Sequence, residues 1–474
     1  MEKFTPNDIE QIHNHGLTID SITQQLADFK SGFSYSNIVR PATINDGVTP
    51  ILGDEYAQYY DNQKDNYKIV KFVPASGAAT RMFKDLYDFL STGCMNKTTQ
   101  TVLNNLTQFA FWDDLKQILP PTPTHHDIIE YLVTERGLNY GNLPKALLQF
   151  HKYEKTNRTA LAEHLAEGAQ YAQSNNTVNI HFTVSPEHID GFNTLLSHIL
   201  PLYESEFGVK YNISMSTQKS ETDTIAVNMD NTPFRNDDGT LLFRPAGHGA
   251  LIENLGDIDA DLIFIKNIDN VCPENKRGDT ITHKKRLAGL AIQIQQKIFK
   301  YLHALDNGTA NTDEIKKFIS NTLGTEITSA PNLRQILNRP LRICGIIKNT
   351  GEPGGGPFWV RDAHDIHSLQ IVEPGQIAPE NMHILKNGEF FSPTDLVCMT
   401  RDYMGNKFNL TEFIDPTAGF ISEKSKGGRP LRAMERPGLW NGAMAKWNTI
   451  FVETPLTTFT PTKVISDLIK PEHQ

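Results

Sequence analysis

Two continuous apolar runs most constrain the fold of this 474-residue chain. Residues 67–73 read YKIVKFV and residues 260–266 read ADLIFIK, and neither run alternates cleanly between apolar and polar side chains. Such strands are typical of a parallel sheet that is covered on both faces. Strand patterns at 178–184 and 210–216 lie between them and alternate with helix patterns. This order predicts an α/β fold with a twisted, mostly parallel sheet flanked by helices.

Three segments differ in pattern along the chain. Residues 1–65 are polar and amphipathic, which predicts a helical N-terminal cap. Residues 66–340 alternate strands and helices and predict the main α/β domain, with a helical insertion at about 95–140. Residues 341–474 return to strands, Gly/Pro turns and short helices. We expect this last segment to form a C-terminal region that completes the functional site.

The charge balance argues against one class of function. The chain has 45 Lys and Arg against 55 Asp and Glu, so its net charge is −10, and it contains no long basic run. General nucleic-acid binders instead carry a basic surface for the phosphates. We therefore expect no nucleic-acid partner, although a local basic pocket for phosphates remains compatible with this composition.

The cysteines and the first residues bear on location. The four cysteines include no C-x-x-C pair, which fits a reducing compartment. The opening residues MEKFTPNDIEQ lack the apolar core of a signal peptide. No run approaches the ~18 consecutive apolar residues that a membrane helix needs. We expect a cytoplasmic protein without a membrane partner.

The segment VPASGAATRMFK (73–84) lies between a predicted strand and a predicted helix. This is the place where α/β proteins bind phosphates. The small residues Ala75, Ser76 and Gly77 would let the backbone approach a ligand and point its amides at anionic oxygens. Arg81 would add a permanent charge and a bidentate donor. The alternative is an ordinary β–α turn with a surface arginine.

The same turn resembles the signature loop of the sugar-1-phosphate nucleotidyltransferases, L-A-G-G-x-G-T-R-[LM]. Gly77, Thr80 and Arg81 match that loop, whereas Ser76 and Ala79 stand at two of its glycine positions.

Two other segments correspond to motifs of that family. Lys145, in LPKALL, corresponds to the signature lysine that follows the loop, here after a long insertion. Gln218 stands in the place of the family's F-x-Q segment, a weaker match.

The segment FRPAGHGALIENL resembles the P-G-G-H-G segment of the UDP-sugar pyrophosphorylases, which lies against the uracil base and ribose. Gly247 and Gly249 would allow flat contact between a ring and the backbone, and His248 offers a side-chain hydrogen bond. The alternative is a Gly-rich helix start.

The next segment, DLIFIKNIDNV, resembles the strand that ends in N-x-D-N in the same enzymes. Asp269 would present a hard carboxylate oxygen at the edge of the sheet, which suits Mg²⁺. The resemblance also suggests that Asn270 contacts the sugar. An ordinary Asn/Asp turn after a strand is the alternative.

The second half of the chain carries two more matches. Glu373, in LQIVEPGQI, corresponds to a glutamate that helps to hold the sugar, and Lys463, in FTPTKVISDLI, corresponds to a lysine that contacts phosphate. A surface lysine is the alternative for Lys463. The loop EPGGGPFW (352–359) is either a sugar-stacking loop or a stiff hairpin packed by aromatics. Asp415 and Asp467 are candidate second metal ligands.

Together these motifs resemble UDP-glucose and UDP-N-acetylglucosamine pyrophosphorylases, and also a bacterial family of unassigned function related to them. The resemblance implies a GT-A-like nucleotidyltransferase fold with a nucleotide-binding catalytic domain and a sugar-side C-terminal region. It implies Mg²⁺-dependent transfer from an NTP, with UTP expected, to a sugar 1-phosphate, with release of pyrophosphate. The alternatives are an inactive nucleotide-sugar-binding or regulatory protein and a GT-A glycosyltransferase.

The implied roles are catalysis for Arg81, Lys145 and Lys463; nucleotide binding for Ala75, Ser76, Gly77, Thr80, Gln218, Gly247, His248 and Gly249; sugar binding for Asn270 and Glu373; and metal binding for Asp269.

Overall fold

The computed structural model of the protein describes residues 4–77, 79–326, 332–352 and 354–474. Ala78 of the predicted phosphate turn and Pro353 of the Gly-rich loop lie outside these described residues, as do residues 327–331 of the predicted helical region.

The α-helices of the described residues are α1 (Pro6–Asn14), α2 (Ile19–Ser31), α3 (Asp54–Gln63), α4 (Lys84–Thr92), α5 (Lys97–Asn104), α6 (Trp112–Ile118), α7 (His125–Val133), α8 (Ala160–Tyr171), α9 (Ile189–Phe207), α10 (Leu251–Asp257), α11 (Gly278–Asp306), α12 (Thr312–Thr322), α13 (Leu333–Leu337) and α14 (Met382–Lys386). The strands are β1 (Ile38–Pro41), β2 (Val48–Thr49), β3 (Ile69–Pro74), β4 (Gln149–His151), β5 (Arg158–Thr159), β6 (Gln173–Ser174), β7 (Thr177–Thr183), β8 (Lys210–Ser216), β9 (Thr224–Ile225), β10 (Phe243–Arg244), β11 (Leu262–Lys266), β12 (Thr325–Glu326), β13 (Leu341–Lys348), β14 (Gly356–Arg361), β15 (His367–Val372), β16 (Phe390–Met399), β17 (Phe420–Lys426), β18 (Arg429–Glu435) and β19 (Asn448–Glu453).

The predicted mostly parallel sheet is confirmed. Nine strands form it, in the order β2-β19-β13-β16-β11-β3-β7, with β8 and the short β6 both paired to β7. The pairs β2–β19, β19–β13, β11–β3, β3–β7 and β7–β8 are parallel. Strand β16 is antiparallel to both of its neighbours, β13 and β11, and β6 is antiparallel to β7. The carboxyl ends of seven strands therefore meet at one edge, where β16 begins.

The two apolar runs occupy the middle of this sheet. All residues of β11 and all but the last residue of β3 are buried. Helices α8 and α11 pack on one face, whereas α10 and a second sheet, ordered β1-β14-β15-β12, lie toward the other. Helices therefore lie on both faces, as predicted, and on the second face α10 shares the cover with the second sheet. A strand that is apolar on both sides demands burial and does not specify what provides it.

Local sequence patterns predicted the ends of most helices and strands to within a few residues of their observed positions. The helix expected from about residue 80 begins at Lys84, because Ala79–Arg81 forms a 3₁₀ turn first. Helices α1 and α2 begin at threonine capping boxes and bury one face against Ile225, Val227 and other apolar residues.

The main sheet takes strands from residues 48–49 through to residues 448–453, so all three predicted segments contribute to it. The division into three domains stays a prediction. No helix among the described residues is both long enough and apolar enough to cross a membrane.

A buried ion cluster lies under the centre of the sheet. Lys71 on β3 and Lys266 at the end of β11 both contact Glu167 on α8, with Nζ–Oε distances of 3.2 and 2.9 Å. All three side chains are fully buried. Burial lowers the pKa of Lys71 to about 7. Burial alone would raise the pKa of the Glu167 carboxyl, but Lys266 and Lys71 hold it well below its usual value.

We expect Glu167→Gln to destabilise the fold by ~3–5 kcal/mol, because it leaves two buried ammonium groups without a carboxylate. The measurement is the free energy of unfolding in urea. Asp88→Asn is the matched control, since it breaks only the exposed Lys84–Asp88 pair on α4 and should cost under ~1 kcal/mol. Equal losses in the two variants would contradict the prediction.

Candidate functional site

A cavity of about 440 Å³ opens at the carboxyl edge of the main sheet. The residues after β11 form one wall, and the start of β16 forms another. Its lining residues are His248, Asn267, Asp269, Asn270, Glu352, Gly354, Gly355, Ile371, Glu373, Phe391, Ser392, Pro393, Thr394, Trp440, Phe459, Pro461, Lys463, Val464, Asp467 and Lys470.

Two predicted lysines meet at Asp269 beside this cavity. Asp269 Oδ2 accepts a hydrogen bond from Lys145 Nζ at 2.8 Å and another from Lys463 Nζ at 3.1 Å. Lys145 Nζ also donates to the Thr462 carbonyl at 2.5 Å. The three charged residues come from segments separated by 124 and 194 positions. Their roles in binding or catalysis stay predictions.

The two lysines differ in how firmly they are held. The Lys145 side chain is 14% exposed and makes two hydrogen bonds, whereas that of Lys463 is 58% exposed and makes one. Burial alone would raise the pKa of Asp269, but Lys145 and then Lys463 outweigh it, so this pKa lies below its usual value. The carboxylate therefore remains ionised, with two ammonium groups facing one negative charge.

The loop that carries Lys463 is tied to the turn after β11. The Thr460 N–H donates to Asn270 Oδ1 at 2.9 Å, and the Thr462 N–H donates to the Asp269 carbonyl at 2.9 Å. Asn270 is buried, lines the cavity, and its Nδ2 has no hydrogen-bond partner among the described residues. A buried amide without a partner is costly, so this N–H₂ group is available to a ligand acceptor or a water.

Asp467 holds the loop that carries Lys463 by hydrogen bonds. Its Oδ2 accepts the backbone N–H groups of Lys463 at 2.7 Å and Val464 at 2.8 Å, and its Oδ1 pairs with Lys470 at 2.8 Å. Both of its oxygens therefore have partners within the loop and the 3₁₀ helix that follows it. These contacts account for an aspartate at position 467 without a metal, although the sequence made Asp467 a candidate second metal ligand.

Asp269 offers Mg²⁺ one carboxylate oxygen. Its Oδ1 has no hydrogen bond among the described residues, and Asn267 lines the same cavity. Magnesium in proteins is usually held by one or two carboxylates together with waters and substrate phosphates. One free carboxylate oxygen therefore suits an ion that arrives with phosphate ligands of its own.

His248 and Glu373, two predicted ligand contacts, meet on the opposite side of the cavity. His248 Nε2 lies 3.9 Å from Glu373 Oε1, and the His248 ring lies 6.1 Å from the ring of Trp440. Burial lowers the pKa of His248. Burial and then Glu435 raise the pKa of Glu373. The pair therefore places an imidazole and a carboxyl group, each shifted toward its uncharged form, beside the aromatic ring of Trp440.

The glycines beside His248 are explained by backbone conformation and packing. Gly247 has a φ of +76°, and a Cβ there would lie 2.8 Å from Glu435 Oε2. A Cβ on Gly249 would lie 2.1 Å from the Pro437 carbonyl oxygen. The positive φ of Gly247 and the contact of Gly249 with the backbone after β18 are thus sufficient reasons for the two glycines, and their contact with a base stays a prediction.

The phosphate turn lies outside the cavity lining. Thr80 and Arg81 are exposed, and the described residues provide no side-chain hydrogen bond or ion pair to Arg81. Gly77 is also exposed, and a Cβ there would meet nothing within 4 Å. The fold therefore gives no packing reason for glycine at 77.

Other predicted nucleotide contacts are already bonded to protein. Ala75 is buried and its N–H donates to the Thr183 carbonyl at 2.9 Å. The Ser76 carbonyl accepts the Ser185 hydroxyl at 2.9 Å. Gln218 Nε2 donates to Asp223 Oδ1 at 3.3 Å and does not line the cavity.

Sequence reasoning missed the lining residues Phe391 and Thr394. Trp440, which also lines the cavity, belongs to a segment with two tryptophans among small residues, whose pattern left open whether it lines a sugar site or packs at the edge of the sheet. Phe391 and Thr394 lie at the start of β16, and no local pattern shows that this strand runs against its neighbours.

Two other features lie away from Asp269, and one of them, the larger cavity, includes the candidate metal ligand Asp415 in its lining. His126, Asp127 and Glu130 on α7 place possible metal-ligand atoms within 4.8 Å of one another, yet Asp127 bonds to Thr124 and Glu130 pairs with Arg136. A larger cavity of about 1160 Å³ lies along β15.

The chain belongs to the family described as a domain of unknown function, DUF4301, whose sequence model matches residues 5–474. The expectation of a family of unassigned function is thus confirmed. No curated protein matches the sequence.

Solved structures show distant likenesses. A variant of UDP-glucose pyrophosphorylase from Leishmania major, with UDP-glucose bound, is 12% identical over 97% of this chain and 77% of its own, with a TM-score of 0.47. The UDP-N-acetylglucosamine pyrophosphorylase from Trypanosoma brucei, with an inhibitor bound, is 10% identical over 95% of this chain and 74% of its own, with a TM-score of 0.48.

We expect Lys145→Ala to destabilise the protein more than Lys463→Ala. Lys145 loses two partly buried hydrogen bonds, at a cost of ~1–3 kcal/mol. Lys463 loses one exposed ion pair, at a cost within ~1 kcal/mol. The free energies of unfolding in urea test this order, and a larger loss in Lys463→Ala would contradict it.

Proposed function

We propose that this protein is a Mg²⁺-dependent nucleotidyltransferase that joins an NTP, with UTP expected, to a sugar 1-phosphate and releases pyrophosphate. One observation carries the proposal: Lys145 and Lys463, matched to the family's motifs from distant parts of the chain, both contact the matched Asp269 at the carboxyl edge of the sheet. Ordinary surface residues at these three positions would have no reason to converge.

The charge beside Asp269 supports binding of a phosphate chain at that point of the cavity. Two ammonium groups face one carboxylate there, which gives a local excess of positive charge, while the acidic lining residues Glu352, Glu373 and Asp467 belong to other parts of the lining. Preorganised charges in a partly buried site stabilise anions more strongly than they would in water. We assign the less exposed Lys145 to fixed support of the triphosphate and the more exposed Lys463 to the phosphoryl group that is transferred.

The remaining assignments follow the same geometry. Asp269 Oδ1 would hold Mg²⁺ together with the phosphates, and the bound ion would neutralise charge on their oxygens. Glu373, His248 and the Asn270 N–H₂ group would contact the sugar or ribose hydroxyls, with Trp440 offering a flat apolar face. Arg81 and the exposed Gly77 turn would bind the far end of the triphosphate, since the described residues give the Arg81 side chain no partner and would leave a Cβ at Gly77 without a neighbour.

A nucleotide-sugar-binding protein without transfer activity is the second candidate. The Ala79 N–H, at a position where the family has glycine, donates to the Leu143 carbonyl at 3.2 Å, so this amide is unavailable to an anion. Such a turn would bind phosphates less strongly than the family's loop.

One experiment separates the two candidates. The purified protein is incubated with Mg²⁺, each NTP and a panel of sugar 1-phosphates, and pyrophosphate release is measured. Release with one pair of substrates supports the transferase. A rise in melting temperature with UDP-sugar but no pyrophosphate from any pair would support the binding protein instead.

We expect Lys463→Ala to lower turnover by ~10²–10³, because removing one preorganised contact to a developing charge commonly costs that much. Nucleotide affinity should fall less, since most ground-state contacts remain. The steady-state kinetics of the variant, beside its melting temperature, provide the measurement. Lys424→Ala, on the exposed part of β17, is the matched control. Wild-type turnover in Lys463→Ala would remove this lysine from the site.

We expect removal of Mg²⁺ by a chelator to abolish turnover, and Asp269→Asn to weaken the response to added Mg²⁺. The amide keeps the shape of the side chain but loses the charge that favours a divalent cation. Turnover titrated against Mg²⁺ for both proteins gives the readout. An Asp269→Asn variant with an unchanged Mg²⁺ titration would indicate a metal site elsewhere.

A further inference from the structure

Two buried histidines join the segments that carry the two lysines. His151 Nε2 lies 3.0 Å from His473 Nδ1, and the rings are stacked with centroids 5.3 Å apart. Each residue is only 1% exposed. They are 322 positions apart, so this contact links distant parts of the chain.

The pair is anchored on α8. His151 Nδ1 lies 2.9 Å from Glu163 Oε1, which also accepts the Tyr153 hydroxyl at 2.8 Å. Arg277 contacts the other oxygen of the Glu163 carboxylate. A buried carboxylate with this many partners fixes the position of the His151 ring.

Each histidine is connected to one of the lysines through a short stretch of regular structure. Lys145 begins a 3₁₀ turn, Lys145–Leu147, that runs directly into β4, on which His151 lies. On the other side, His473 follows the 3₁₀ helix Ile465–Ile469, whose Asp467 accepts the Lys463 N–H.

Burial and the neighbouring His151 keep the His473 ring neutral. Burial and then His151 lower the pKa of His473 to about 4, while Asp467 and the Pro461 carbonyl act in the opposite direction and Lys470 adds to the lowering. Near neutral pH this imidazole can therefore lie against its neighbour without charge repulsion.

We infer that the His151–His473 contact is a positioning device, which sets the distance between the Lys145 and Lys463 ammonium groups by docking residues 465–474 against β4. Neither histidine lines the cavity, so both act through the lysines. The turnover test of this inference rests on the proposed function, whereas the labelling test does not.

The labelling test uses lysine acylation by acetic anhydride, followed by mass spectrometry. In His473→Ala we expect Lys145 to react roughly tenfold faster, equivalent to a coupling of ~1.4 kcal/mol, because the loop that provides the Thr462 carbonyl is loosened. The exposed Lys424 is the internal standard. Glu472→Ala, an exposed neighbour in the same segment, is the control and should leave the Lys145 rate unchanged. An unchanged rate in His473→Ala would overturn the inference.

The turnover test is a double-mutant cycle. His473→Ala should lower turnover roughly tenfold when Lys463 is present and should have no further effect in Lys463→Ala. An equal loss in both backgrounds would assign the effect to general destabilisation and overturn the positioning role.

A conservative variant keeps the test valid if His473→Ala does not fold. His473→Gln retains a hydrogen-bonding side chain and should recover part of both the protection of Lys145 and the turnover. A folded His473→Gln in which Lys145 reacts faster than in the wild type, but less than tenfold faster, supports the contact, whereas a folded His473→Gln with the wild-type Lys145 rate would contradict it. If the wild-type protein shows no nucleotidyl transfer, the proposed function fails, and the acylation rates alone decide on the histidine pair.

Discussion

The rest of the structure depends on a single buried carboxylate. Glu167 binds Lys71 and Lys266 without solvent, and these lysines lie on the two central parallel strands. Strand β3 leads into the phosphate turn, and Lys266 lies three residues before Asp269. A buried ion pair adds little net stability against an apolar replacement, but it is strongly specific, because each partner is costly without the other. The cluster therefore fixes the relative position of the phosphate turn and of the segment that carries Asp269.

The candidate site at the edge of the sheet also pairs one carboxylate, Asp269, with two lysines, but it differs from the core cluster in one respect. In the core, each charge is enclosed by partners. At Asp269 the carboxylate is shared by two lysines, and one of them is largely exposed. Both carboxylates face two lysines, so the clusters differ in exposure and not in charge balance, and only the cluster at Asp269 presents an ammonium group to a ligand. The same fold thus contains a closed ion cluster for structure and an open one for binding.

Sequence reasoning succeeded where the signal was local or matched a family motif. The apolar runs predicted β3 and β11, and motif order predicted that Lys145, Asp269 and Lys463 share one site. It failed where partners are far apart and unremarkable in composition. Nothing near Lys71 in YKIVKFV points to Glu167, 96 positions away, and nothing near His473 points to His151. The antiparallel direction of β16 was equally hidden, because strand direction depends on connections and not on side-chain periodicity.

The long sequence separations at the site have a consequence for how the protein becomes functional. Lys145, Asp269, Lys463 and the histidine pair are joined across 124, 194 and 322 positions, whereas the backbone hydrogen bonds within a helix such as α11 join residues only about four positions apart. Contacts of high sequence separation form slowly, because loop entropy is lost before they contribute any energy. During refolding, helical circular dichroism should therefore return well before any capacity to bind a phosphorylated ligand. A population that looks folded by its secondary structure would still lack an assembled site.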